Sequence, residues 1–354
     1  MVPNIWIFCL EVFDNRYTKQ WHEVIPKILA EKAGDKFNIR QIDGIQREQK
    51  TTTGAFLNFT DTNYWKSTQL AKFIELYSAG EVTPNDKFLF TDFWNPCITQ
   101  IAYMRDLMDQ NWELHSIVHA GAYDPSDILG MKMQKPWPFH AERGWYYSCD
   151  KNYYATNFHR AMFLRNLDIP YTDADRAVVS GQPHISVIDH CSQYFTHPKQ
   201  QMVIWPHRYN ADKQPEIIED LKNELSCEVV ITQKANLNKE QYYQTLGSAA
   251  AVFSCSLHEN LGISMMEGCL AGAIPIVPDR CSYKEMYLPE FKYPTEWTSS
   301  IESYKKHKNS LLGFIAERVN RPSAYAKAMQ EQVQILRNDY LNANIMFDCI
   351  LGIS

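Results

Sequence analysis

Three observations predict an α/β chain with two parallel-sheet domains. Short apolar runs alternate with helical patterns over residues 5–119 and again over residues 202–278. Polar residues gather directly after those runs, where a parallel sheet collects its binding loops. The 354 residues have 45% apolar content, enough for two cores at roughly 150 residues per domain.

The first series opens with a buried strand at residues 5–10, followed by a polar loop and a helical pattern over 19–32. A second strand is expected at 37–42, a loop at 51–54 and a helix over 64–78. A strand at 86–92, a helix over 96–110 and a strand at 114–119 complete it. Glu11 with Arg16, Asp92 with Asn95, and His119 with Asp124 then fall at strand ends, as an active-site rim would require. Residues 131–165 are less regular, aromatic and locally basic, with a strand at 153–156 feeding a helix. Residues 180–184 read as a turn.

The second series has strands at 202–205, 228–232 and 250–254, with helices over 215–225 and 239–247. It ends in the most informative stretch of the chain. Glu259 and Glu267 stand eight positions apart with Gly262 between them, ahead of a helical pattern and a short apolar strand. Glu259 should precede the helix and Glu267 sit inside it on the same side. The N–H groups of a helix start attract anions. This suits a ligand with phosphate in the middle and hydroxyls at both ends, as in a nucleotide sugar. Residues 325–349 form one long helical pattern.

The Glu-x7-Glu spacing, the Glu-Asn-Leu-Gly-Ile-Ser core and the Ala-Gly-Ala-Ile-Pro-Ile-Val-Pro-Asp exit resemble the donor site of retaining GT-B glycosyltransferases of the family 4 type. The resemblance implies two Rossmann-like domains facing a cleft. Residues 1–190 would bind acceptor, 191–330 would bind nucleotide sugar, and a terminal helix over 331–354 would cross back to the first domain. It also implies that Glu259 holds the transferred sugar and Glu267 the ribose. Backbone at Asn260, Leu261, Gly262 and Ile263 would meet sugar and diphosphate. Family members usually carry Pro-Phe-Gly where this chain has Asn-Leu-Gly. Arg208 and Lys213 resemble the family's cationic element, and cations there would stabilise the leaving diphosphate. His207 replaces the usual glycine before the arginine. His119 occupies the place of a histidine near the transferred sugar. Asp92 and Glu11 are acidic candidates for the proton of the acceptor hydroxyl; in retaining enzymes of this architecture the departing phosphate oxygen can take it instead. No metal is expected, since helix dipole and cations can neutralise the diphosphate.

The first half further resembles glycosyltransferase-like proteins of tailed bacteriophages. The matching stretches are Arg16-Tyr17-Thr18 with Trp21, residues 53–59, Thr91-Asp92 with Trp94-Asn95-Pro96, and His119-Ala120-Gly121 with Tyr123-Asp124-Pro125. This resemblance implies duplex DNA with hydroxymethylated pyrimidines as acceptor, which requires base extrusion. Glu11, Arg16, Trp94, Tyr123 and Asp124 would contact the acceptor. Lys132, Lys135 and Arg143, with Trp137, Trp145, Tyr146 and Tyr147, would supply cations and stacking surfaces. A polysaccharide, lipid or small-molecule acceptor, or a non-catalytic nucleotide-sugar-binding protein, are the alternatives.

The net charge of −6 argues against a broadly basic nucleic-acid binder but leaves room for a local basic groove. Nine cysteines without Cys-x-x-Cys pairs point to reduced thiols and a cytoplasmic setting, the host cytoplasm for a phage protein. No run of about 18 apolar residues suggests a membrane span. The sequence leaves the oligomeric state and the donor sugar open.

Overall fold

The computed structural model describes residues 2–13, 17–47 and 58–353. Arg16, the expected loop at 51–54 and most of the 53–59 stretch lie outside the described residues. The chain divides into two compact units, Met1–His184 with Ala343–Ser354, and Ile185–Asn342.

Over its described residues, unit 1 is built on a six-stranded parallel sheet. Its strands are β1 (Asn4–Phe8), β2 (Asn38–Ile42), β3 (Lys87–Phe90), β4 (Glu113–Ile117), β5 (Lys151–Tyr154) and β6 (Ala177–Val179), in the order β2-β1-β3-β4-β5-β6. Helices α1 (Tyr17–Ala33), α2 (Phe59–Ser78), α3 (Cys97–Leu107), α4 (Ile128–Lys132), α5 (Pro136–Ser148) and α6 (Asn157–Asn166) link them. Both sheet faces are covered, so β1 is apolar at nearly every position. Trp6 and Phe8 enter one core with Phe73, Phe88 and Phe90, whereas Ile5 and Ile7 enter the other with Trp21, Ile25 and Leu29. That is the period of two expected of a strand. The buried carboxylate of Asp86 accepts hydrogen bonds from Asn4 N (2.8 Å), Trp6 Nε1 (2.6 Å) and Thr83 N (3.0 Å), pinning β1 to the start of β3.

Unit 2 begins with α7 (Ile185–Ser192). Its sheet comprises β7 (Gln200–Trp205), β8 (Glu228–Ile231), β9 (Ala249–Phe253), β10 (Ile274–Pro278) and β11 (Lys292–Tyr293), in the order β11-β10-β9-β7-β8. The helices are α8 (Pro215–Lys222), α9 (Lys239–Ser248), α10 (Ile263–Leu270), α11 (Tyr283–Met286), α12 (Ile301–Asn320) and α13 (Ala326–Ile335). Every strand pair in both sheets is parallel. Both sheets place their first strand between their second and third. The strand order therefore reverses beside β1 and beside β7, and ligands bind at the carboxyl ends of strands at such points.

The structure adds short elements the sequence reading lacks, among them α4, β6, α7, α11 and β11, and departs from it more substantially in three places. Residues 131–165 are regular, with α5 where no helix was expected, because Pro136 suits a helix start and Pro138, Glu142, Trp145 and Tyr146 form its buried face. Helix α12 was not anticipated. The pattern over 325–349 is not one helix: α13 passes into a π-helical turn at Leu336–Tyr340, and Ala343 takes φ 51° before α14 (Asn344–Leu351). Residues to Asn342 belong to unit 2, and α14 packs into the α1-side core of unit 1 through Met346, Phe347 and Ile350.

Candidate functional site

In unit 2 the candidate residues gather at the carboxyl ends of β7 and β9. Gly262 caps α10 in the left-handed region, φ 76°, where a side chain is strained. An added Cβ would also stand 2.7 Å from Tyr283 Cε1. The glycine therefore fixes both the turn and its close approach to α11. Glu259 lies ahead of the helix and Glu267 within it, as the spacing predicted.

Lys213, 5% exposed, donates from Nζ to Glu259 Oε2 (2.9 Å), Ser256 Oγ (2.8 Å) and the His258 carbonyl (2.7 Å). Asp212 adds a second carboxylate at 3.1 Å. Burial pushes the Glu259 carboxyl up, but the Lys213 charge and hydrogen bond, together with smaller neighbouring contributions, hold the group below its usual range. Burial likewise opposes the charge on Lys213, yet Glu259 and Asp212 raise its pKa. Arg208 is exposed, and Asn260 and Ile263 are half-buried beside buried Leu261.

Glu267 is gripped by two consecutive hydroxyls: Tyr242 Oη donates to Oε2 at 2.8 Å and Tyr243 Oη to Oε1 at 3.2 Å. Burial raises its pKa, and the two tyrosines only partly offset that. His207 is buried, and its Nε2 has no hydrogen-bond partner among the described residues. Burial, aided by Lys213, pushes its pKa down to about 3, so the ring is neutral.

In unit 1 the corresponding strand ends carry Glu11, Asp92 and His119. His119 Nε2 is 2.6 Å from the Thr91 carbonyl and Nδ1 is 3.4 Å from Gln182 Nε2. A carbonyl can only accept and an amide nitrogen only donate, so the ring is the neutral Nε2–H tautomer. Burial lowers its pKa, against the pull of Asp92. Trp21 lies against the ring at 4.8 Å between centroids, and His184 against Trp21 at 5.4 Å.

The two acidic candidates of unit 1 differ in environment. Asp92 would be raised by burial, but Lys66, 2.7 Å away, with His119 and the Trp94 amide, lowers it below the usual range. Such a carboxylate is a weak base near neutral pH. Glu11 is raised by burial despite a 2.6 Å hydrogen bond from Thr62 Oγ1. Of the two, Glu11 has the environment of a proton acceptor.

The remaining acceptor candidates separate by burial. Trp94 is half-buried and donates to Glu142 Oε1 at 2.6 Å. Tyr123 is in the core, hydrogen-bonded to His159, and Asp124 is buried, accepting from Ser126 N at 2.9 Å. Arg143 donates to the carbonyls of Leu167 and Asp168, at 2.5 and 2.7 Å, just beyond the end of α6. Trp145 and Tyr146, expected as stacking surfaces, are core residues because α5 turns them inward. Lys132, Lys135, Trp137 and Tyr147 are exposed.

Lys66, Glu142, Gln182, Tyr242 and Tyr243 were not read from the sequence as site residues. Each reaches its partner from a different element, so no local spacing marked them. In the sequence, His207 stands out only as a departure from glycine.

No family model matches the chain. Among solved structures, sucrose-phosphate synthase from Thermosynechococcus elongatus superposes with a TM-score of 0.59 at 11% identity, over 99% of this chain and 97% of that one. The catalytic domain of starch synthase IV from Arabidopsis thaliana, bound to ADP and acarbose, gives 0.54 at 10% identity, over 94% and 99%. The fold is GT-B. A point mutant of S. aureus TarM, in complex with Fondaparinux, alpha-GlcNAc-glycerol and UDP, gives 0.52 at 12% identity, over 81% of this chain and 59% of that one. In sequence, the chain is 27% identical to a tRNA-queuosine alpha-mannosyltransferase of Drosophila melanogaster, over 26% of this chain and 32% of that protein. The match thus spans about a third of that relative's length. Among the described residues no helix is long and apolar enough to cross a membrane.

Proposed function

We propose that this chain is a retaining glycosyltransferase that takes a sugar from a UDP-sugar and transfers it to the hydroxyl of a hydroxymethylated pyrimidine in DNA. The observation that carries the donor half is the Lys213–Glu259 pair ahead of the Gly262-capped helix that holds Glu267. The diphosphate would sit at the start of α10 with Arg208 and Lys213 neutralising it, the ribose at Glu267, and the sugar hydroxyls at Glu259. The UDP bound by TarM and the ADP bound by starch synthase IV support a nucleotide-sugar donor. Retention is supported by the likeness of residues 259–267 to retaining enzymes. The reaction breaks the bond between the anomeric carbon and the phosphate oxygen and forms one to the acceptor oxygen. The hydroxyl proton passes to the departing phosphate or to Glu11. No metal is required in this reading.

The acceptor half rests on unit 1. The likeness to phage glycosyltransferase-like proteins and the exposed Lys132, Lys135 and Trp137 support DNA. A second reading, a modified nucleoside in tRNA, is favoured by the partial sequence likeness to the tRNA-queuosine alpha-mannosyltransferase. Radiolabelled UDP-sugars and GDP-sugars offered with hydroxymethylated DNA, plain DNA, tRNA and glycan acceptors test both. Transfer to hydroxymethylated DNA alone is expected. Label in tRNA only would establish the second reading, and label only in glycans would overturn both.

A further inference from the structure

We propose that Cys9, His22 and Asp43 form a binding site for one divalent transition-metal ion, with zinc the ion their chemistry suits best. The three residues come from separate elements of unit 1: Cys9 follows β1, His22 lies in α1 and Asp43 follows β2. Their ligand atoms all lie within 4.8 Å of one another. His22 Nε2 is 3.1 Å from both oxygens of Asp43. Ligands at about 2.0–2.3 Å around a tetrahedral zinc stand roughly 3.3–3.7 Å apart. One edge of that figure is thus nearly in place, and small side-chain movements complete the others.

The donor set is mixed sulfur, nitrogen and oxygen, which favours zinc over calcium or magnesium, since those prefer oxygen alone. A thiolate and a carboxylate balance two positive charges, with the imidazole neutral. The thiol proton leaves to solvent as the ion enters. Cys9 is buried, and Gln41 reaches both neighbours, donating to Cys9 Sγ at 3.5 Å and to the His22 carbonyl at 2.9 Å. The His22 and Asp43 side chains are 28% and 36% exposed, which gives the ion a route from solvent and a water as fourth ligand. The bound ion would tie the carboxyl ends of β1 and β2 to α1, two residues from Glu11. This site is independent of the sugar-transfer reading.

The test is titration of the chelator-stripped full chain with Co²⁺ and then Zn²⁺. One equivalent of cobalt should bind with a near-ultraviolet thiolate-to-cobalt absorption band, and zinc should displace it. Zinc should raise the unfolding temperature of the wild type. Cys9→Ser should lose the absorption band, and His22→Gln should lose both tight binding and the thermal shift, whereas Cys349→Ser should behave as wild type. If Cys9→Ser fails to fold, His22→Gln decides alone, because its side chain is partly exposed. No stoichiometric binding to the wild type, or binding that survives in His22→Gln, overturns the proposal.

Discussion

The ammonium of Lys213 stands 2.9 Å from the carboxylate of Glu259, and their side chains are only 7% and 19% exposed. A pair so enclosed depends on both members. Lys213→Met should destabilise unit 2 by ~3 kcal/mol or more, because Glu259 keeps its charge without a partner. Glu259 has a depressed pKa in the folded wild type, so its contribution is present above about 4.5 and lost as pH falls through the folded value. In Lys213→Met its pKa rises, so the stability gap to wild type should narrow as acid neutralises it. Thermal melts of both proteins across pH 4–7 check this. A gap that stays constant would show that the pair does not govern the titration.

Arg208→Ala should weaken nucleotide binding by about ten- to a hundred-fold, the effect of losing a charge-assisted contact of roughly 1.5–3 kcal/mol. Tyr242→Phe should weaken it as well, because Glu267 then loses a hydroxyl that steadies its charged form. Calorimetry with UDP and ADP reads both. Unchanged affinity in both variants would remove this face of unit 2 as the donor site.

His184 and His207 are each buried with pKa values near 3. Unfolding returns each to about 6.5, so the unfolded chain binds more protons below that pH and stability falls as pH drops from 6.5 toward 3. His184→Gln with His207→Gln should flatten this descent, one residue acting in each unit. Urea denaturation at pH 7 and pH 5 measures it, and an unaltered slope would contradict the burial assignment.

Glu142 is raised by burial to about 7 while accepting hydrogen bonds from Trp94 and the Ala122 amide. Its folded pKa exceeds the unfolded value, so its ionisation reduces stability progressively from pH 4.5 to 7 and no further above. Glu142→Gln should remove that decline. If the variant and wild type lose stability in parallel over this window, another group is responsible.

Replacing Lys132 and Lys135 together should weaken binding to hydroxymethylated DNA and reduce its salt dependence by about two units of slope, with nucleotide affinity unchanged. Arg143 is left in place, since it holds the end of α6. Fluorescence anisotropy over a salt series checks this. An unchanged slope would remove α4 and α5 from the proposed DNA-binding surface.

The sequence revealed most where local pattern and tertiary role coincide. Apolar runs such as residues 5–8 and 274–278 became central strands, and the glycine between Glu259 and Glu267 marked the turn that only glycine fits. It revealed least where a partner arrives from a distant element. Nothing near Glu267 announced Tyr242 and Tyr243, and nothing near Asp92 announced Lys66. The cluster of aromatics in α5 misled because composition does not tell which helical face turns inward. Trp145 and Tyr146 share a stretch with exposed Trp137, and only the packing of α5 separates them.

The return of α14 to unit 1 makes unit 2 an insertion within the chain of unit 1. The apolar face formed by Trp21, Ile25 and Leu29 packs with Met346, Phe347 and Ile350, more than three hundred residues later in sequence. During synthesis, therefore, unit 2 can reach its native contacts while the earlier-made part of unit 1 still lacks a wall. That nascent part must wait, partly uncovered, for a helix that leaves the ribosome only after the whole of unit 2, and that interval is when the chain most needs protection from aggregation.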